Sequence, residues 1–131
     1  MNAKGSFEVK MTAEPPYDVV DAVALARASF EKRFSGPLEA TSHVQMLSAR
    51  HGVESSGAYV AVERVTGTLL GRRGSFVLHH TGLMDRGVQS LVIKVVPDSG
   101  TGELIGLRGQ MGIQITEGQH FYDFDFELPT A

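Results

Sequence analysis

Apolar and polar side chains alternate most regularly near the end of the chain. Leu107, Gly109, Met111, Ile113 and Ile115 interleave with Arg108, Gln110, Gly112, Gln114 and Thr116. That period of two belongs to a strand with one dry and one wet face. After Glu117-Gly118 the alternation resumes, with His120, Tyr122, Phe124, Phe126 and Leu128 on one face, opposite Phe121, Asp123, Asp125 and Glu127. Two such runs around a Gly-containing connection predict an antiparallel hairpin. Pro129 has no N–H to donate and ends the second strand. Upstream, Gly57–Gly67, Arg73–Leu83 and Val88–Pro97 are rich in Val, Ile, Phe, Tyr or Thr, and Lys4–Ala13 and Leu38–Ala49 add two further strand candidates. One segment departs from this picture. Val19, Val23, Ala26, Phe30 and Phe34 recur at three- and four-residue spacing with Asp18 available as a cap, which predicts a helix. Counted as a strand instead, the segment brings the total to about eight, where a small barrel closes.

Fifteen glycines among 131 residues punctuate these apolar segments along the whole chain and do not gather in a linker. This is the spacing of turns in an all-β sandwich or barrel, and it places residues 1–131 in a single domain. A net charge of −3 provides no clustered positive field for nucleic acid. With no cysteine, the chain has no disulfide framework, zinc-thiolate site or thiol nucleophile. It has no apolar run of about 18 residues to span a membrane, and MNAKGSFEVK lacks the apolar region of a secretory signal. The expectation is a soluble cytoplasmic protein.

Several segments together carry a resemblance: GSFEVK, FSGPLEATS, GAYVAVERVTGTLLGRRGSFVLHHTG, VVPDSGTGELIGLRGQMGI and HFYDFDFELP. From Gly5 to Pro129 the chain resembles an uncharacterised family of small bacterial proteins, itself similar to the allene oxide cyclase-like (dirigent-like) β-barrels. The most specific piece is Gly100–Gly109, similar to a Gly-Ser/Thr-Gly segment entering a late strand of those barrels. The resemblance implies an all-β fold, a closed antiparallel barrel of eight strands with one central cavity, often assembled into homo-oligomers. It also implies that Ala22–Phe34 is a strand, paired with Leu38–Ala49 through Ser35-Gly36-Pro37; we adopt this over the helical spacing. In the plant cyclases a carboxylate and an amide from the first strand act near the cavity mouth. Glu14 would correspond to that carboxylate, and the amide has no counterpart here.

The remaining question is which polar residues share a face with the core. Tyr59, Ala61, Glu63 and Val65 lie opposite Ala58, Val60, Val62 and Arg64; Phe76, Leu78 and His80 lie opposite Val77 and His79. An inward Glu63 would be a desolvated carboxylate of raised pKa, suited to general acid or base work. The alternatives are a surface Glu63, with Val60 and Val62 inward, or an inward one paired structurally with an Arg or His. His80 is a candidate proton shuttle with Tyr59 or Tyr122 as phenolic donors, or a core histidine bonded to backbone or to Glu63. The catalytic candidates are therefore Glu63, Glu14 and His80. The candidate ligand wall is Tyr59, Glu63, Phe76, Leu78, His80, Tyr122, Phe124 and Phe126, apolar with a few polar anchors.

Adjacent His79 and His80 point to opposite faces and no H-x-H or H-E-x-x-H spacing occurs, so no metal is expected. GTGELIGLRG lacks the G-K-[ST] of a phosphate loop and runs into a strand, and no G-x-S-x-G is present, so no cofactor is expected. Ala58–Val65 and Leu91–Val96 are apolar on both faces, which predicts a cover, most simply a second copy in a homo-oligomer. The functional expectation is a small, largely apolar ligand inside the barrel. The alternatives are a cofactor-free isomerase or cyclase, or a filled barrel with a structural or interaction role.

Overall fold

The computed structural model describes residues Met1–Pro129. Nine antiparallel strands follow in chain order: β1 Asn2–Ala13, β2 Asp18–Val20, β3 Val23–Ser35, β4 Leu38–His51, β5 Gly57–Leu69, β6 Arg72–Asp85, β7 Val88–Val95, β8 Arg108–Thr116 and β9 Gln119–Glu127. From β3 to β9 each strand pairs with the next, and β1 pairs with both β3 and β9, so the sheet closes. The barrel therefore has eight staves, with β2 an extra short strand. β3 changes partner along its length, from β2 at Val23–Leu25 to β1 at Ala28–Ser35.

Local chemistry sets this register. The β5–β6, β6–β7 and β8–β9 hairpins each turn on two residues, Leu70-Gly71, Arg86-Gly87 and Glu117-Gly118, all with positive φ. Left-handed backbone at both turn positions matches the twist of the flanking strands, and glycine adopts it without a Cβ penalty. The helix predicted by the spacing over Val19–Phe34 does not form. Asp21-Ala22 is a turn, and Val23–Ser35 pairs with Leu38–His51 through the Ser35-Gly36-Pro37 connection. Among the described residues no helix is long and apolar enough to cross a membrane.

The two ends of the barrel differ. At one end lie the β3–β4 and β5–β6 turns and the Gly-rich segment between β7 and β8. That segment folds back on β6, where the Thr101 N–H donates to Ser75 O at 2.8 Å and the Ser75 N–H donates to Thr101 Oγ1 at 3.0 Å. Its short 3-10 turn, Gly102–Leu104, inserts Leu104 into the core, and Leu107 follows. The segment also covers the thinnest part of the wall, since β7 and β8 share one paired position, Lys94 with Gln110. Phe34, Leu38, Val65, Leu69, Phe76, Leu78, Phe124 and Phe126 are all buried in this half.

The other end holds the β4–β5 loop and the β6–β7 and β8–β9 turns, and several of its inward side chains are exposed. Met11, in phase with buried Phe7, is 58% exposed; Ile115, in phase with buried Met111, is 64% exposed; Leu91, in phase with buried Ile93, is 45% exposed. These are inward positions of β1, β8 and β7. The barrel is packed at one end and open at the other.

Candidate functional site

Where the packed and open halves meet, four polar side chains converge on the barrel interior. The hairpin register sets Lys32 of β3 directly across from Ser42 of β4. Glu63 of β5 pairs with Val44 on one side and Leu78 on the other, which puts Ser42 and His80 on its two diagonals. Diagonal neighbours on one face of a sheet lie within reach of long side chains. Glu63 Oε1 accepts from Lys32 Nζ at 3.3 Å and from His80 Nε2 at 2.8 Å, and Oε2 accepts from Ser42 Oγ at 2.5 Å. Glu63 is 1% exposed, and the other three are buried with it.

Burial pushes the Glu63 carboxyl up. The His80 hydrogen bond, the Lys32 charge, the Ser42 hydrogen bond and the His80 charge outweigh that and hold it below the ordinary glutamate value. The raised pKa expected for an inward Glu63 is thereby corrected: desolvation acts as anticipated, but the partners overcome it. Inward Glu63 also replaces the surface reading, with Val60 and Val62 turned outward and half-exposed. Lys32 is confined from a second side, with Nζ over the Phe7 and Phe34 rings at 5.1 and 5.9 Å from their centroids.

Tyr59 borders the cluster on the open side, its ring centroid 6.4 Å from that of His80. It lies across from Gly82 of β6, where a Cβ would come within 2.6 Å of the ring at Cδ1. Glycine there leaves room for the ring beside His80. Burial, and then the negative charge of Glu63, push the Tyr59 phenol up, so it stays a neutral donor.

The other predicted residues lie elsewhere. Phe76 stacks on Phe124 at 5.7 Å and Phe124 on Phe126 at 5.2 Å, and Leu78 is fully buried with them in the packed half. Tyr122 is committed to the β3–β4 turn: its hydroxyl donates to Ser35 O at 2.9 Å and accepts from the Leu38 N–H at 3.1 Å. Burial pushes its phenol up, against a smaller downward effect of the Leu38 backbone bond. Glu14 lies past the last residue of β1, exposed at the open rim and outside the cluster. His79 lies across from outward Val62, away from His80. The structure thus gathers Tyr59, Glu63 and His80, and adds Lys32 and Ser42, which sequence reasoning missed. The signal for both was the β3–β4 register, once Val23–Ser35 is taken as a strand. Among the described residues no group of three or more His, Cys, Asp or Glu is placed to hold a metal ion.

Comparison with known proteins identifies a family and a similar solved structure. A family model described as a protein of unknown function, DUF3224, matches residues 3–126. A crystal structure of a protein of unknown function from the DUF3224 family of Shewanella oneidensis MR-1 superimposes with a TM-score of 0.92 and 48% sequence identity, covering 99% of this chain and 98% of that one. No curated protein matches. The allene oxide cyclase resemblance rests on the sequence segments alone.

Proposed function

We propose that this chain, which belongs to the DUF3224 family of proteins of unknown function, binds a small, largely apolar molecule in the open half of its barrel. The observation that carries the reading is the unfilled inner wall, where Met11, Leu91 and Ile115 point inward yet stay exposed. A concave apolar wall with a few polar groups at its floor is the usual composition of a ligand site. Exposed apolar surface of this kind is otherwise a liability that a soluble chain covers. Glu63 is not the general acid of this site, because its partners occupy both oxygens and lower its proton affinity.

Native mass spectrometry of freshly purified protein, followed by solvent extraction, tests the reading. The expected result is a co-purifying apolar species, reduced in Ile115→Glu, which places a charge on the exposed wall. A protein free of bound mass, with a mouth that takes up no apolar probe, would overturn it.

Self-association is part of the same proposal. Leu47, Val60, Val62 and Leu83 form an exposed, uncharged outward stripe centred on β5. A two-fold related copy would bury that stripe against itself, leaving Arg27, across from Leu47, and Arg64, the next outward residue after Val62, at its margins. Light scattering is expected to give a mass above one chain for the native protein and a single-chain mass for Val62→Asp; a native single-chain mass would remove this part.

A further inference from the structure

Glu63 is 1% exposed with both oxygens already hydrogen-bonded, so recognition at the floor of the mouth falls to its neighbours. Its ionised carboxylate carries no proton, and the bond to His80 therefore fixes the ring proton on Nε2. Nδ1 makes no hydrogen bond among the described residues, whereas every buried side-chain nitrogen or oxygen among them has a partner. Nδ1 is thus the atom of this otherwise buried ring that keeps contact with solvent, and in the neutral form of the ring it presents a lone pair. Charge at the floor is already balanced. Lys32 faces Glu63 at 3.3 Å and is held down by two aromatic rings, so its cation is committed. A carboxylate arriving there would meet a buried carboxylate of like sign with no free cation beside it, which is costly in a low-dielectric interior. An uncharged hydroxyl avoids that cost and supplies the proton that Nδ1 lacks. Tyr59, kept neutral and set against Gly82, closes the same corner.

We infer that the molecule held in this mouth is uncharged, mostly apolar and hydroxyl-bearing, aliphatic or phenolic, and that its hydroxyl donates to Nδ1 of His80. Glu63 is the positioning residue that fixes the accepting tautomer. The inference rests on the open half being a binding cavity, and the test separates the two. Four probes of one shape are titrated into labelled protein at about pH 8, where imidazole is ordinarily neutral: propylbenzene, p-propylphenol, p-propylbenzyl alcohol and p-propylbenzoate. NMR shifts of Met46, Tyr59 and Ile115 report occupancy, and the imidazole nitrogens of His80 report the tautomer. The two hydroxyl probes are expected to bind about tenfold more tightly than propylbenzene, the worth of one satisfied hydrogen bond. The benzoate is expected to bind no better than propylbenzene. Glu63→Gln, whose amide can donate to Nε2, is expected to shift the His80 nitrogens and abolish the hydroxyl advantage, bringing the affinity ratio of the hydroxyl probes to propylbenzene down to about one. A carboxylate preferred over the hydroxyls, as Arg50 at the rim would produce, overturns the inference but keeps the cavity. Equal affinity for propylbenzene and the hydroxyl probes does the same. Silence from all four probes removes both.

Discussion

The two halves of the barrel are built from the same strands by the same alternation, yet they solve the interior differently. In the packed half the inward positions carry Phe34, Phe76, Phe124 and Phe126, and the β7–β8 segment adds Leu104 and Leu107, so aromatic and aliphatic volume meets at the axis. In the open half the inward positions mix small groups, Ala26, Ala28 and Gly82, with Phe30, Met46 and Tyr59, which are only partly buried, and no described segment inserts side chains among them. Strand pairing is therefore not what distinguishes the packed half from the exposed one here. β4, β5 and β6 stay paired at nearly every residue through both halves. Side-chain volume and one inserted loop make the difference, and the charged cluster marks the boundary.

The sharpest way to break this comparison is a matched pair of truncations. Phe124→Ala removes a fully buried, doubly stacked ring and is expected to cost about 3–5 kcal/mol in denaturant unfolding. Ile115→Ala, equally inward by alternation, is expected to change stability by less than about 0.5 kcal/mol. Similar losses for both would mean that the open half is packed in solution.

At the boundary, Lys32→Met leaves the buried Glu63 without its permanent cation. A loss of about 3 kcal/mol is expected, because an unbalanced buried charge costs more than the pair contributed. An unchanged midpoint would show that the cluster is hydrated and belongs to the open half.

Acid sharpens the same point. Glu63 titrates lower in the folded chain than its ordinary value, so between those two values the unfolded chain binds more protons. Its contribution is present above the ordinary glutamate range and is lost as pH falls through the lower folded value. Between about pH 7 and about pH 3 the native protein is expected to lose more stability than Glu63→Gln. Parallel curves would contradict the lowered value. Gly82→Ala is expected to displace the Tyr59 ring toward solvent at a cost of about 1 kcal/mol. It is read most directly as changed tyrosine and His80 resonances, and unmoved resonances would place the ring away from β6.

Much of the barrel is legible in its sequence, and the failure at Val19–Phe34 is instructive. A spacing of four is ambiguous, since residues four apart share a face on a helix and on a strand alike. Ala26, Phe30 and Phe34 satisfy both readings. The residue that would separate them is Lys32, inward and buried on the strand but indistinguishable in sequence from a cation on the wet side of a helix. The side chain that disguised the strand is the one that completes the site. Ser42 stayed hidden for the same reason, because its importance comes from sitting opposite Lys32. Glu63 and His80 were reachable as candidates because alternation puts them in phase with Val65 and Phe76, but Val60 and Val62 make the opposite face of β5 just as apolar, so the pattern left the inward face of that strand open. How many partners would share one carboxylate depends on two diagonals across three strands, and no pattern within a single strand contains that.

Closure through β1 carries a consequence for how the chain becomes a barrel. Its partner on one side, β3, lies nearby in sequence, but its partner on the other is β9, and the Phe126 N–H donates to Met1 O at 2.8 Å. On a ribosome, β1 can pair with β3 early, yet its second edge stays unsatisfied until β9 has been synthesised. Throughout that interval the nascent sheet carries an open edge able to recruit a foreign strand. Pairing so distant in sequence also makes the final step slow, since a long loop must be ordered before any contact is gained. Lys4 and Lys10 put charges on β1, the strand whose edge waits longest, which is how an unpaired strand is kept from the wrong neighbour.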